Sequence, residues 1–199
     1  MSAERLAELI RTRQPCVALT GAGVSTESGI PDFRSAEGIW AEVDPYEVAS
    51  IEAFRRDPAI VWEFYERRLA VLAEARPNAA HLALARLEAL GLLEAVVTQN
   101  VDGLHQEAGS RDVIEVHGSI RGAMCLACGA RVPAADVAER LPLPRCACGA
   151  VLKPGVVMFG ELLPVAAFER ASELCRGARL LLVVGSTLEV HPVAALPLE

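Results

Sequence analysis

Apolar residues occur in this chain as short continuous runs that alternate with longer stretches of helical periodicity. The continuous runs predict buried strands, at residues 16–19, 94–98, 113–116 and 180–184. The periodic stretches predict amphipathic helices, at residues 3–13, 58–75, 78–90 and 164–176. Strands that alternate with helices favour an α/β fold, with a parallel sheet and crossover helices.

The segment before the second helix has a mixed pattern. Residues 35–57 are interrupted by Gly38 and Pro45, and they fit neither helical nor strand periodicity. We predict a mobile flap there, with a long structured loop as the alternative. Asp57 suits the N-cap of the following helix and Pro58 its first position, so that helix boundary is well defined.

Composition narrows the function classes. The chain has 199 residues, of which 52% are apolar and 5% aromatic, and its formal charge is −7. This composition predicts a globular domain with an aliphatic core, disfavours direct nucleic-acid binding and leaves a basic partner such as a lysine-bearing peptide plausible. No apolar run approaches the roughly 20 residues of a membrane span, and the N-terminus does not resemble a signal peptide. We therefore expect a cytoplasmic protein with reduced thiols.

The first strand leads into a glycine-rich turn and then into a charged loop. Gly21 and Gly23 would let the backbone approach a bound pyrophosphate, with free N–H groups as donors. Their spacing differs from G-x-G-x-x-G, so the turn alone is weak evidence for a dinucleotide. Asp32, Phe33 and Arg34 follow in a loop and suggest a ligand site. A helix-capping loop with surface charges is the alternative.

Polar residues also follow the later strands. Residues 99–102 (Gln-Asn-Val-Asp) leave a strand at the edge where open α/β sheets form a crevice, although Asp102 could instead cap the next helix. His117 follows another strand and is a candidate general base, with a structural histidine as the alternative. Residues 185–187 (Gly-Ser-Thr) form a second turn of small residues at a strand end.

Four cysteines have the spacing of a zinc site. A C-x-x-C pair and a C-x-C pair are separated by 17 residues, and each pair is followed by glycine. Four thiolates suit tetrahedral zinc without an open position, so we predict a structural ion that stabilises a small lobe inserted between two strands. Free or oxidised cysteines are the alternative. The predicted ligands are Cys125, Cys128, Cys146 and Cys148.

Two further features have both a structural and a functional interpretation. Residues 156–159 form an extended apolar run, which could pair with a peptide by strand addition or be a core strand. Tyr65 and Arg68 are three residues apart and share a helix face. On spacing alone, a core tyrosine and a solvated arginine are favoured.

Taken together, these motifs resemble the sirtuin family of NAD-dependent protein lysine deacylases. The resemblance extends from about residue 5 to residue 199. It depends on the motifs at residues 21–25, 29–34, 98–102, 117–118, 159–161 and 185–187 and on the four cysteines. It implies one catalytic domain over residues 1–199 with a Rossmann-type parallel sheet, a small inserted zinc-binding lobe at 119–153 and a helical flap at 35–75.

The resemblance also implies residue roles. NAD would contact Gly21, Ala22, Gly23, Ser25, Ile30, Asp32, Phe33, Arg34, Trp40, Gln99, Asn100, Val101, Asp102, Gly185, Ser186 and Thr187. The acylated-lysine substrate would contact Tyr65, Arg68, Val157, Phe159, Glu189 and Val190, with Val157 and residues 189–190 flanking the peptide as strands. The catalytic residues would be His117, Asn100 and Asp102. His117 would assist deprotonation of a ribose hydroxyl, and the products would be free lysine, nicotinamide and O-acyl-ADP-ribose.

Two departures from the family pattern shape the expectations. A Tyr-x-x-Arg pair is typical of sirtuins that remove succinyl and malonyl groups, but that branch commonly has threonine where this chain has Asp32. We favour a deacylase that accepts acidic acyl groups and leave plain deacetylation open. The chain also stops where sirtuins continue, which leads us to expect an exposed sheet edge, weak NAD binding and low stability. The alternatives are an inert module that binds acyl-lysine or ADP-ribose, and an ADP-ribosyltransferase. We expect acylated-lysine proteins as partners and a monomer.

Overall fold

The computed structural model describes residues 2–198 and contains two sheets. The strands are β1 (Cys16–Thr20), β2 (Ala95–Thr98), β3 (Val113–Glu115), β4 (Gly118–Cys125), β5 (Arg131–Pro133), β6 (Leu152–Val156) and β7 (Leu180–Val184). The α-helices are α1 (Ala3–Thr12), α2 (Pro45–Val48), α3 (Ile51–Arg56), α4 (Pro58–Glu74), α5 (Ala79–Ala89), α6 (Leu104–Glu107), α7 (Ala134–Ala138) and α8 (Val165–Gly177). Short 3-10 turns occupy Ala22–Val24, Thr26–Ser28, Ile39–Ala41 and Val193–Leu198. None of the helices in the described residues is both long and apolar enough to span a bilayer.

The larger sheet confirms the predicted parallel α/β fold. Its four strands are parallel in the order β3-β2-β1-β7. Every residue of β1 and β2 is buried, because apolar layers cover both faces of the sheet. Val17 and Leu19 point toward the layer that contains α8, whereas Ala18 points toward the layer that contains α5. This alternation across the strand is the reason that a continuous apolar run predicts the centre of the sheet.

The smaller sheet lies in a lobe inserted between β3 and β7. Its order is β5-β4-β6, and both pairings are antiparallel. The lobe shares a hydrophobic cluster with α3 and α4. The indole Nε1 of Trp62, on α4, also donates to the carbonyl of Leu152 at 2.7 Å. The inserted lobe is therefore fixed to the helix that follows the flap segment.

The segment predicted as a flap consists of short packed helices. α2 and α3 lie within residues 35–57, and Ala53 and Phe54 of α3 are buried in the core. The boundary at α4 is confirmed, because the Asp57 carboxylate accepts from the N–H of Ala59 and Pro58 is the first helical residue. The sequence thus predicted the start of the long helix better than the two short ones, whose apolar positions are too few to show a period.

Of the two alternatives for residues 156–159, the core strand is wrong beyond Val156, and pairing with a peptide stays a prediction. β6 ends at Val156, and its Pro154 is tolerated because β6 is an edge strand that does not need that N–H group. Beyond β6, Phe159 donates to the carbonyl of Ala49 at 2.9 Å and accepts from the N–H of Ile51 at 2.9 Å. The backbone of Phe159 is therefore already paired with the segment before α3.

The structure also places no strand at residues 189–190. Glu189 and Val190 lie in an irregular loop after β7. Leu188, immediately before them, has a φ of 56°, in the left-handed region. A non-glycine residue in that conformation turns the chain away from the extended geometry that a strand requires.

Candidate active site

A cavity of about 1100 Å³ opens at the carboxyl ends of the parallel strands. Residues following β1, β2, β3 and β7 border it, as expected for a ligand site in an open α/β sheet. Every site residue that the sequence analysis named, apart from the four cysteines, borders this one cavity. The topology thus brings these residues together, and their individual roles remain predictions.

The two glycine-containing turns pack directly against each other. Gly21 donates to Val184 O at 3.1 Å, and Gly23 donates to Gly185 O at 2.9 Å. A side chain at Gly185 (φ 63°) would place its Cβ 2.1 Å from the backbone nitrogen of Val24. The glycines therefore permit close approach of β1 and β7.

This packing corrects the expectation that the glycine N–H groups are free for pyrophosphate. The N–H groups of Gly21, Gly23, Val24 and Ser25 all donate to carbonyls within the protein. Ala22 is the one residue of this turn whose N–H group has no partner in the part of the chain that the structure describes. Ala22 itself lines the cavity.

Ser25 links the catalytic candidates after β2. Its hydroxyl donates to Asp102 Oδ2 at 2.7 Å and accepts from Asn100 Nδ2 at 3.1 Å. The other Asp102 oxygen accepts from the N–H of Leu104 at 2.9 Å, so Asp102 also caps α6. Asp102 therefore borders the cavity and also accepts from the first N–H group of α6, and its catalytic role stays a prediction. Capping fixes one oxygen of its carboxylate, and Ser25 orients the other.

Sequence reasoning missed a pair of buried histidines behind Ser25. His81 on α5 and His105 on α6 have ring centroids 4.8 Å apart. His81 Nδ1 accepts from the N–H of Asn78, so Nε2 carries the proton that faces the Ser25 hydroxyl at 3.4 Å. His105 Nε2 lies 2.9 Å from Thr20 Oγ1. The sequence did contain a signal for His81: Asn78 is a good N-cap, and the residue three positions after an N-cap lies in the first helical turn.

Protonation of His105 is predicted to destabilise the fold. Burial, reinforced by His81, lowers the pKa of His105 from 6.5 to about 4. In the unfolded chain the ring binds a proton near pH 6.5, so stability is lost as the pH falls from 6.5 toward 4. The full effect is about 3 kcal/mol. We expect the free energy of unfolding of wild type to fall more steeply in this window than that of His105→Gln, measured by urea denaturation with zinc present. Parallel curves would contradict the prediction.

His117 has the geometry of a neutral base. Its Nδ1 donates to the Gln99 carbonyl at 3.1 Å, which leaves the lone pair on Nε2. Burial is the main influence on the pKa of His117 and lowers it. The hydrogen bond to the Gln99 carbonyl raises this pKa, and the charge of Arg34 lowers it further. The ring is therefore neutral at pH 7, as a general base must be. The Gln99 side chain extends in turn to Ser186 Oγ at 2.9 Å.

The loop after the glycine turn presents its aromatic residue to the cavity. Asp32 Oδ1 accepts from the backbone N–H groups of Ser35 and Arg34, and the Ser35 contact is the main cause of the lowered pKa of Asp32. Phe33 stacks on Trp40 with a centroid distance of 5.1 Å. Arg34 forms an ion pair at 3.5 Å with Glu189, across the cavity mouth. Asp32 Oδ1 therefore closes a turn within its own loop and caps none of the helices in the described residues.

A second part of the cavity is aromatic and contains one cation. The Arg68 guanidinium lies 4.9 Å from the Phe33 centroid and 5.7 Å from the Phe64 centroid. Tyr65 is 6% exposed, and burial raises the pKa of its phenol, so the hydroxyl is protonated at neutral pH. Arg68 is half-buried and borders the cavity, in contrast to the solvated residue that spacing alone favoured. The pair offers a guanidinium and a phenol O–H to one ligand group.

The four cysteines meet in the inserted lobe. The sulfur atoms of Cys125, Cys128, Cys146 and Cys148 all lie within 4.8 Å of one another. N–H groups of Cys128 and Ala127 donate to Cys125 and lower the pKa of its thiol, which favours the thiolate that binds metal. A closed set of four sulfur donors fits a structural Zn²⁺.

The family model, the similar sequences and the similar structures all indicate the same family. Residues 21–192 match the Sir2 family model. An NAD-dependent protein deacetylase of Sulfolobus acidocaldarius is 48% identical over 200 residues, which cover 98% of this chain and 78% of that protein. A Sir2 homologue variant solved with ADP-ribose has a TM-score of 0.95 and 45% identity, covering 99% of this chain and 80% of that one. A Sir2 protein solved with a propionylated peptide has a TM-score of 0.90 and 40% identity, covering 100% and 81%.

Proposed function

This chain belongs to the Sir2 family and is an NAD-dependent protein deacylase, and from that premise we propose how its residues divide the reaction. One end of the cavity, at the strand termini, binds NAD. The other end, between α4 and the segment after β6, receives the acylated lysine. The observation that supports this division most directly is the neutral His117, which borders the same cavity as both sets of residues.

NAD, when bound, supplies the ADP-ribosyl group that accepts the acyl group as nicotinamide leaves. The Ala22 N–H group, at the turn where β1 approaches β7, would be available to donate to a phosphate oxygen of NAD. Gln99 and Ser186, already hydrogen-bonded to each other at 2.9 Å, present polar groups beside it. Phe33 and Arg34, which both border the cavity, would contact the bound cofactor.

The residues around Ser25 form the nicotinamide pocket. Asn100 is 7% exposed and Ser25 is 1% exposed, so their polar groups are fixed before the cofactor arrives. Because Ser25 donates to Asp102, the Asp102 carboxylate is held in one orientation. Preorganised groups of this kind stabilise developing charge without reorganisation during the reaction. Ile30 and Asp32 complete the pocket wall.

His117 takes the hydroxyl proton that must be removed when the acyl group is transferred. Its Nε2 lone pair is available because Nδ1 donates to Gln99. The lowered pKa of His117 keeps this lone pair free at neutral pH. The acid limb of the pH profile for kcat/KM should accordingly lie below 6.5, the ordinary pKa of histidine.

The substrates are acylated-lysine peptides. A similar Sir2 protein has been solved with a propionylated peptide, and we propose that this chain binds such a peptide between Val157 and the loop containing Glu189 and Val190. The experiment is nicotinamide release from NAD with acetyl- and succinyl-lysine peptides. Release without peptide dependence, from folded zinc-loaded protein, would contradict the proposal. Mass spectrometry of the peptide separates deacylation from ADP-ribosyl transfer, because the peptide loses the acyl group in one case and gains ADP-ribose in the other.

We further propose that Arg68 and Tyr65 allow acidic acyl groups to bind. A guanidinium can hold a carboxylate in a bidentate manner, and the protonated Tyr65 hydroxyl adds one donor. The rings of Phe33 and Phe64 hold the guanidinium in place. No acidic side chain within the described residues pairs with Arg68 as a salt bridge, so its charge is available to a ligand.

Arg68→Met is expected to lower kcat/KM for desuccinylation about 10- to 100-fold, because charged hydrogen bonds of roughly 1.5–3 kcal/mol are lost. Deacetylation should change much less, since an acetyl group has no carboxylate. The two activities are measured side by side by nicotinamide release. Arg67→Met is the matched control, because Arg67 is the adjacent arginine of α4 and is exposed in an ion pair with Glu63. Desuccinylation that survives Arg68→Met would refute this role.

A further inference from the structure

The chain contains a single lysine, and that lysine is buried. Of its 19 lysine and arginine residues, only Lys153 is lysine. The Lys153 side chain is 3% exposed, and the residue lies in β6 at the end of the inserted lobe. Buried lysines are rare because the ammonium group must be paired and hydrogen-bonded to offset its desolvation. Lys153 does not border the cavity, so no step described above uses it.

All three ammonium protons of Lys153 have acceptors. Nζ donates to Pro154 O at 3.0 Å, to Val156 O at 2.6 Å and to Glu161 Oε2 at 2.9 Å. Two of these acceptors are backbone carbonyls just after Lys153 in the chain, and the third is a carboxylate eight residues away. The ammonium group therefore joins the two ends of residues 154–161.

Glu161 extends this link toward the cavity. The oxygen that accepts from Lys153 also accepts from the N–H of Met158 at 2.8 Å. Between these contacts, Val157 donates to His117 O at 2.8 Å. Residues 156–161 all border the cavity. An ion pair with one end outside the cavity, at Lys153, thus links the two ends of this part of the cavity wall.

We propose that Lys153 is a positioning residue for the peptide substrate, acting through Glu161 on residues 154–161. The inference depends on the proposed function, since it assumes that this segment receives the acylated peptide. Without the ammonium group, two carbonyls lose their donor and the Glu161 carboxylate loses its counter-ion, so the segment relaxes. The NAD end depends on the strand termini and the Ser25 network, which have no contact with Lys153.

The test is Lys153→Met, with KM determined separately for acyl-lysine peptide and for NAD. We expect the peptide KM to rise about tenfold or more, as for lost hydrogen bonds to a charged group. The KM for NAD should stay within about twofold of the wild-type value, because the substitution leaves the contacts that bind NAD unchanged. Lys153→Arg keeps the charge and should recover most of the peptide affinity. Arg170→Met is the matched control, since it removes a cation from an exposed ion pair with Asp112.

Glu161→Gln provides a second test that preserves side-chain shape. It should raise the peptide KM in the same direction, and combining it with Lys153→Met should add little if both act through one ion pair. If Lys153→Met does not fold, Glu161→Gln alone decides the question. An unchanged peptide KM, or equal increases in both KM values with a lower melting temperature, would overturn the inference. Wild-type protein without peptide-dependent turnover would instead overturn the proposed function, and the inference with it.

Discussion

Replacing His117 with alanine is expected to reduce the rate of deacylation by about 100- to 10,000-fold, the range attributed to a positioned general base. The imidazole is the group bordering the cavity that combines a free ring nitrogen with a pKa below its ordinary value. The substitution removes one hydrogen bond, to the Gln99 carbonyl, so it should leave the fold and NAD binding largely intact. Formation of O-acyl-ADP-ribose measures the loss.

Two controls make the His117 result specific. NAD affinity measured by calorimetry should change little, which separates a missing base from a damaged cofactor site. In wild type, kcat/KM should fall at low pH with a midpoint below 6.5, because the pKa of His117 is lowered by burial. Turnover of His117→Ala close to that of wild type would show that another group removes the proton.

Loss of the zinc ligand in Cys146→Ser is expected to release the metal and unfold the inserted lobe. Apparent binding free energies for structural Zn²⁺ are about 10–16 kcal/mol, so removing one of four thiolates eliminates a large part of the lobe's stability. The lobe has only a three-stranded sheet and a short helix of its own. Because β6 carries Lys153 and continues into residues 156–161, the peptide-facing wall should be lost as well, and deacylation with it.

Metal content and thermal unfolding measure this effect. Wild type should contain one zinc ion per chain, whereas Cys146→Ser should contain little zinc and melt at a lower temperature. Cys175→Ser is the control, since Cys175 is a buried cysteine of α8 outside the cluster and its substitution should leave zinc content unchanged. One zinc ion per chain and a wild-type melting curve in Cys146→Ser would contradict a four-cysteine site.

Local patterns predicted most of this fold. The continuous apolar runs identify β1, β2, β3 and β7 because both sheet faces are covered, and the Asp57–Pro58 pair identifies the start of α4. The cysteine spacing predicts the cluster because the two cysteines of each pair lie within one tight turn. The strands, the start of α4 and the cysteine pairs are each determined by residues that lie close together in the sequence.

Features that depend on distant partners could not be predicted. Phe159 lies outside a strand because its backbone pairs with Ala49 and Ile51, more than a hundred residues earlier in the chain. The histidine pair arises where α5 meets α6. Asn78 places His81 in the first turn of α5, but nothing near either histidine in the sequence indicates that the two rings meet. Likewise, only the structure shows that the glycine N–H groups after β1 are occupied, because their acceptors belong to β7 and the residue that follows it.

The burial of Lys153 affects whether the deacylase can itself become acylated. Acylation of a lysine requires an accessible ε-amino group, and the single lysine among residues 1–199 is Lys153, whose side chain is 3% exposed and whose ammonium group already has three acceptors. Positive charge on its surface comes from arginine, whose guanidinium stays protonated and is not a target of lysine acylation. Residues 1–199 of one copy therefore present no accessible lysine side chain to the active site of another copy. We therefore expect residues 1–199 to escape the lysine modification that the enzyme removes from other proteins.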